Sequence, residues 1–215
     1  MKKTILSLLM LFSFSAIVWA QQPASLGEAV RQLDKAAAVK DFEALEKTFV
    51  SLAEKQPQFW LPWYYAAYCN ARIGFLYQDD GEKIEPYSNK GEEQINRAVS
   101  LVDSASHKAW SSEIYTVMSM VYRTKVFINP MTYGRKYGSL SEKYLQVARQ
   151  LAPENPRALY VQAWVKYYTP KLWGGDKQLA KELAGKSLAL LAKEQTGDTP
   201  HWGKAENEAL LSKFR

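Results

Sequence analysis

The fold of this chain is decided by the stretch Ala148-Arg149-Gln150-Leu151-Ala152-Pro153-Glu154-Asn155-Pro156-Arg157-Ala158. An apolar helical stripe ends at Leu151, two prolines follow within five residues, and a second apolar stripe starts at once. Proline is accepted in the first turn of a helix but breaks a helix interior. The stretch therefore predicts two helices joined by a short turn.

Helical periodicity extends over the rest of the chain. Apolar residues recur at spacings of three and four, alternating β-branched runs do not occur, and most of the 9 prolines and 11 glycines fall between the stripes. The pattern predicts an all-α chain of helix pairs, at 25–55, 60–102, 107–151 and 156–190. A final helix, with Thr199 as N-cap and Pro200 in its first turn, is expected to run to Phe214.

Three polar or Gly-rich insertions are predicted to separate the helices within pairs, at 78–90, 129–138 and 169–175. The helix after the first insertion is expected to begin at about Gly91. The helix after the second is expected to begin with Ser139 or Ser141 as its cap, and Asp176 is the expected cap after the third. Insertions on one side of a repeat array often mark its working face.

The chain resembles the tetratricopeptide-repeat (TPR) family. Tyr115, Met118, Ser119 and Tyr122 reproduce that family's spacing of a bulky, an apolar, a small and an aromatic residue, and the 148–158 stretch resembles a junction between two repeats. The resemblance implies a TPR-like α-solenoid of about four helix hairpins, covered at its end by a C-terminal capping helix. A helical bundle without repeats is the alternative.

The first twenty residues have the features of a signal peptide. Lys2 and Lys3 precede an uncharged apolar segment over 4–18, and small residues stand at the cleavage positions Val18 and Ala20. We therefore expect a signal peptide at 1–20, a single TPR-like domain at 21–215, and an exported protein, periplasmic or secreted. The alternative, a membrane anchor, would need about 20 apolar residues.

Composition argues against several function classes. Loss of Lys2 and Lys3 with the signal peptide lowers the net charge from +6 to +4, and no basic run suggests nucleic-acid binding. His107 and His201 are the only histidines and belong to no metalloprotease motif, while the single cysteine, Cys69, lies in an apolar stripe. We expect no catalytic residues, no metal site and no cofactor. An enzyme would require His107 or His201 to meet a carboxylate in a cleft.

The TPR resemblance implies a concave groove lined by the first helix of each pair. Carried over to this chain, it gives a candidate binding groove of aromatic, Arg and Met side chains: Tyr64, Tyr68, Arg72, Met120, Arg123, Arg157, Tyr160, Trp164 and Tyr167. Aromatic residues and Arg are enriched at binding hot spots, because they present large areas with few rotatable bonds. The alternative for each aromatic residue is a place in the core.

These features predict a non-catalytic binding or scaffold protein of the bacterial envelope that docks a protein or peptide in the groove. The alternative is a small-molecule-binding accessory of a solute transporter. The chain also resembles the TPR-like T component of TRAP transporters, through the turn Gly174-Gly175-Asp176. A deep apolar pocket between helices would favour the small-molecule alternative, and an open groove would favour peptide docking.

Overall fold

The computed structural model describes residues 25–194 and 197–214. Within these residues the chain forms nine α-helices and no strand, so the all-α prediction is confirmed. The helices are α1 (Leu26–Leu33), α2 (Val39–Lys55), α3 (Trp60–Leu76), α4 (Gly81–Ser100), α5 (Lys108–Ile128), α6 (Pro130–Leu151), α7 (Pro156–Tyr168), α8 (Lys177–Leu191) and α9 (Lys204–Ser212). The expected signal peptide lies outside the described residues.

The helices form consecutive antiparallel pairs, as expected of a helical solenoid. Each of α3, α5 and α7 packs most extensively on the helix that follows it, and α1 packs on α2. The first helices of the pairs also contact one another, α3 with α5 and α5 with α7, while α9 returns to contact α8 and α7. The first helices therefore form an inner row, and α9 lies across one end of it.

The junction at 148–158 folds as its sequence predicts. Asn155 caps α7, its side-chain oxygen accepting hydrogen bonds from the backbone N–H groups of Arg157 and Ala158, and Pro156 occupies the first helical position. The Asn155 amide in turn donates to Ser112 Oγ at 3.0 Å, which ties the turn to α5. Asn155 thus both caps α7 and contacts α5.

Two predicted insertions are helical, and those boundaries were wrong. α4 begins at Gly81, ten residues before the expected start, with Pro86 inside it. Its buried stripe runs through Ile84, Ser88, Gly91, Ile95 and Ala98 at spacings of four and three, so packing on α3 extends helically past the proline.

The second such segment, the predicted loop at 131–138, forms the first turns of α6. Asn129 accepts a hydrogen bond from Thr132 N–H at 3.0 Å, and Pro130 opens the helix. Tyr137 then stacks on Tyr122 of α5 with ring centroids 6.1 Å apart. An Asn-Pro cap and aromatic packing override the weak helix preference of the glycines in this segment.

The third insertion does leave the helical path. Gly174 has a φ of +89°, and a Cβ on Gly175 would lie 1.7 Å from the Thr169 carbonyl oxygen, so both glycines are required by the turn. Asp176 caps α8, as predicted. Trp173, on the same turn, is 75% exposed.

The last helix begins later than predicted. α9 starts at Lys204 with Gly203 as its N-cap residue, and Thr199 and Pro200 belong to the non-helical segment before it. Trp202 in this segment is buried. The segment at 197–203 thus packs against the inner row of helices before α9 begins.

Polar side chains inside the first two pairs are mutually satisfied. The Asn70 amide donates to Gln94 Oε1 at 2.7 Å, and the Gln94 amide donates to Glu46 Oε1 at 2.6 Å. This chain of bonds joins α3, α4 and α2 and gives the buried amide of Asn70 a hydrogen-bond partner. Within the described residues, no helix is both long and apolar enough to cross a bilayer.

Candidate functional site

An aromatic pocket opens on the inner row of helices. Its lining comes from α3 and the residues after it, α5, α7 and the C-terminal segment, and consists of Tyr68, Arg72, Phe75, Gln78, Met120, Arg123, Tyr160, Val161, Trp164, Val165, Tyr168, Trp202 and Glu206. Three first helices supply one wall each, and α9 with the segment before it supplies a fourth. This aromatic pocket therefore exists only once the chain has folded back on itself.

The pocket encloses about 210 Å³, and the empty space reaches about 780 Å³ when its open mouth is included. A second hollow lies beyond Tyr168, between the end of α7 and the turn at 169–176. That hollow is built from one helix end and one turn, whereas the aromatic pocket draws on four separate parts of the chain. Convergence of distant elements on an apolar cleft is typical of ligand sites.

Trp164 is the centre of the apolar wall. Its ring lies 5.2 Å from that of Phe75, 6.3 Å from that of Phe127 and 4.7 Å from that of Tyr168, measured between centroids. Across the pocket, the rings of Tyr68 and Trp202 lie 4.6 Å apart. Neighbouring rings hold one another in place, so the wall is largely formed before any ligand arrives.

One side of the pocket is polar and internally paired. Arg72 Nη1 donates to the Tyr68 hydroxyl at 2.8 Å and forms an ion pair with Glu206, to which Tyr68 also donates at 3.3 Å. Burial alone would lower the pKa of Arg72, but Tyr68 and Glu206 raise it above its ordinary value. These three groups join α3 to α9 and hold the C-terminal helix over the pocket.

A buried chain of hydrogen bonds fixes Trp202 in the wall. Its indole N–H donates to the Tyr64 hydroxyl at 2.7 Å, and Tyr64 donates to Glu113 Oε2 at 3.1 Å. Arg157 Nε donates to both oxygens of Glu113, at 2.9 and 2.8 Å, while its Nη atoms each donate to Glu194 at 2.7 Å. The chain links α3, α5 and α7 behind the pocket.

The structure brings most of the predicted groove residues together. Six of them line the aromatic pocket: Tyr68, Arg72, Met120, Arg123, Tyr160 and Trp164. These six side chains lie on α3, α5 and α7. Their binding of a ligand or partner stays a prediction.

The other three predicted residues lie elsewhere. Tyr64 has no exposed surface and Arg157 is 4% exposed, so both belong to the interior behind the pocket and not to a groove surface. Tyr64 donates a hydrogen bond to Glu113, and Arg157 donates to Glu113 and Glu194. The spacing of the repeats does not predict these contacts. Tyr167 packs on Phe214 with centroids 5.0 Å apart and borders the second hollow.

The sequence prediction missed the part of the pocket that the C-terminal segment supplies. Trp202 and Glu206 contact residues of α3 from more than 130 positions away along the chain. The buried tryptophan just before the last helix was the available signal, because a large aromatic residue beside a helix start packs on something. Nothing in the local pattern says that α3 is its partner.

The two histidines and the cysteine lie outside the aromatic pocket. His201 does meet a carboxylate, Asp34 Oδ1 at 3.0 Å, and His107 stacks on Trp110, but neither histidine lines the pocket. Cys69 is fully buried, and burial raises the pKa of its thiol well above the ordinary value. Over residues 25–194 and 197–214, no cluster of His, Cys, Asp and Glu is suited to a metal ion.

Among solved structures, the chain is similar to the HusA haemophore from Porphyromonas gingivalis. The two are 28% identical and superpose with a TM-score of 0.74 over 87% of this chain and 90% of that chain. No family model matches the chain, and no curated protein matches it.

The likeness supports the all-helical fold and a binding role. A haemophore is a haem-carrying protein and not an enzyme, in agreement with the expectation of a non-catalytic binding protein. Assignment to the TPR family stays a prediction from the sequence.

Proposed function

We propose that this protein binds haem, or a tetrapyrrole like it, in the aromatic pocket. The observation that carries the proposal is the pocket itself, an apolar cleft walled by Trp164, Phe75, Tyr160 and Trp202, in a chain that shares its fold with a haemophore over most of its length. Flat aromatic ligands are held well between aromatic side chains, whose faces and edges complement those of the ligand ring.

The size of the pocket fits partial enclosure of such a ring. The walls enclose about 210 Å³, which is less than the roughly 300–1,000 Å³ of sites that bury a whole small molecule. A tetrapyrrole would enter edge first, with one part between the aromatic side chains and the other at the mouth. The apolar, ring-lined walls of the pocket favour a flat small molecule over an extended peptide.

Contacts with the ring would hold the ligand, and Met120 and Tyr168 are the lining residues that could also bind its iron. Protein ligands of haem iron are His, Cys, Met or Tyr, and of the described lining residues only Met120 and three tyrosines qualify. Burial raises the pKa of Tyr68 and of Tyr160, which disfavours their phenolates. If the expected signal peptide at 1–20 directs export, the protein would be an extracytoplasmic haem carrier.

The test is a titration of the purified protein with haem, followed by the Soret absorbance. We expect saturable binding at one site per chain, and Trp164→Ala should weaken it about 30-fold, because the lost burial of a large side chain contributes about 2 kcal/mol. Trp110→Ala is the matched control, since Trp110 lies on His107 outside the pocket. Absence of saturable binding, or equal binding by the Trp164 and Trp110 variants, would refute the proposal.

A protein partner is a second candidate, favoured by one observation. Leu172 and Trp173, on the turn after α7, are 89% and 75% exposed, although large apolar side chains are normally buried. The predicted envelope adaptor or transporter accessory would use this turn as its contact surface, beside the pocket mouth at Tyr168. A Leu172→Ser/Trp173→Ser variant should lose a partner that wild type recovers from envelope extract. Recovery of the same proteins by both would exclude this surface.

A further inference from the structure

Arg72 and Arg123 both line the aromatic pocket, and they differ in whether a carboxylate balances the charge of the guanidinium group. Arg72 is balanced by Glu206, donates to the Tyr68 hydroxyl, and lies over the ring of Phe42 at 5.2 Å. Its charge and much of its hydrogen-bonding capacity are therefore used within the protein. It fastens α3 to α9 and has little left to offer an anionic ligand.

Arg123 is the opposite case. It projects from α5 into the pocket, and its Nε atom is buried without a hydrogen-bond partner among the described residues. Arg123 takes part in none of the ion pairs found across 25–194 and 197–214. Glu142 of α6 acts on it electrostatically but forms no ion pair with it.

A partly buried guanidinium whose Nε is buried without a hydrogen-bond partner among the described residues is costly unless a ligand supplies that partner. Buried polar atoms nearly always have hydrogen-bond partners, so an orphaned guanidinium nitrogen in a cleft requires an explanation. Burial lowers the pKa of Arg123, in keeping with an environment that compensates its charge poorly. The guanidinium fork matches a carboxylate, which accepts two parallel hydrogen bonds from it.

We propose that Arg123 binds a carboxylate group of the ligand and thereby selects carboxylated ring compounds over neutral ones of the same shape. The inference rests on the proposed binding of haem, whose ring carries two propionate side chains. The apolar ring would lie against Trp164 and Tyr160 while one propionate meets Arg123. The carboxylate would accept a hydrogen bond from Nε of Arg123, so that neither this nitrogen nor the carboxylate would be desolvated without a partner.

The experiment compares haem with haem dimethyl ester, in which both carboxylates are neutral. Affinities of both compounds are measured by Soret titration for wild type, Arg123→Gln, Arg123→Lys and Arg97→Gln. Arg97 is an exposed arginine on α4 outside the pocket, so its variant controls for the loss of one positive charge. Thermal unfolding of each variant shows whether it is folded.

Wild type should bind haem about 10-fold to 100-fold more tightly than the diester, the range expected for a charge-assisted hydrogen bond. Arg123→Gln should lose this preference by weakening haem and not the diester. Arg123→Lys should keep part of the preference, since it retains the charge but not the fork, and Arg97→Gln should behave as wild type.

Three outcomes would overturn the inference while leaving haem binding intact: equal affinity of wild type for both compounds, an unchanged preference in Arg123→Gln, or equal weakening of both compounds by that substitution. If Arg123→Gln does not fold, an unchanged preference in Arg123→Lys would overturn it. If wild type binds neither compound, the proposed function fails and this inference fails with it.

Discussion

Replacement of Arg157 by Gln should be among the most destabilising single changes in this protein. The Arg157 side chain is 5% exposed and is bonded through three nitrogens to Glu113 and Glu194. Glu113, 10% exposed, also accepts a hydrogen bond from Tyr64. The substitution removes the cation and leaves a buried carboxylate with one remaining partner.

The expected loss follows from burial of the pair. Removal of one partner from a buried ion pair costs ~3–5 kcal/mol, because the remaining charge stays desolvated. In a domain of this size, 1 kcal/mol corresponds to about 2–4 °C in Tm. Arg157→Gln should therefore lower Tm by roughly 6–20 °C.

Urea and thermal unfolding followed by circular dichroism measure the effect. Lys186→Gln is the control, because Lys186 and Glu154 form an exposed pair at 3.4 Å and such pairs contribute about 0–1 kcal/mol. The double variant Arg157→Gln/Glu113→Gln should be less destabilised than the sum of the two single variants, since no unpaired charge remains at the buried Glu113 position and the Glu194 side chain is 29% exposed. A loss below about 1 kcal/mol for Arg157→Gln, or strict additivity in the double variant, would refute the reasoning.

Three further predictions concern other parts of the fold. Gly175→Ala should destabilise the protein by more than about 1 kcal/mol, because the new Cβ would overlap a backbone carbonyl. Gly185→Ala, where a Cβ on α8 meets open space, should stabilise the protein by about 0.5–1 kcal/mol. Urea unfolding compares the two variants, and equal effects would contradict the turn geometry. Burial would raise the pKa of Glu92, but the hydrogen bond from Lys125 brings it below its ordinary 4.5, so the stability that ionised Glu92 contributes is present above that pH and is lost as the pH falls. Glu92→Gln should therefore lose less stability than wild type between about pH 6 and pH 3. Parallel curves of stability against pH for the two proteins would count against this prediction. Cys69, buried with a raised thiol pKa, should react with a thiol reagent only after unfolding, and rapid labelling of the native protein would disprove its burial.

Helices whose signals are local could be predicted from the sequence. The Asn155-Pro156 cap and the apolar stripes of α2, α3, α5 and α7 lie within a few residues of what they determine, so periodicity and capping chemistry were sufficient for them. Pro86 and the glycines before Ser139 were misleading, because local preference predicts a loop there. Packing of α4 on α3 and of α6 on α5 extended the helices through both segments.

The pocket was predictable only in part. Residues such as Tyr160 and Trp164 lie on one face of one helix, and that periodicity gave their common direction. Tyr64 lies on the inner row as well, yet it is fully buried behind the pocket. The C-terminal segment covers it through Trp202, and helical periodicity does not predict that contact.

The sequence by itself determined the helical class, the pairing of neighbouring helices and the aromatic, basic character of the inner row. The tertiary structure decided which of those side chains meet across a cavity and which fill the core. The physical reason is range: caps and periodicity act over a few residues, whereas the return of Trp202 and Glu206 onto α3 joins positions more than 130 residues apart. Among residues 25–194 and 197–214, it also decided that Arg72 has an ion-pair partner and Arg123 has none, a difference on which the proposed ligand chemistry depends.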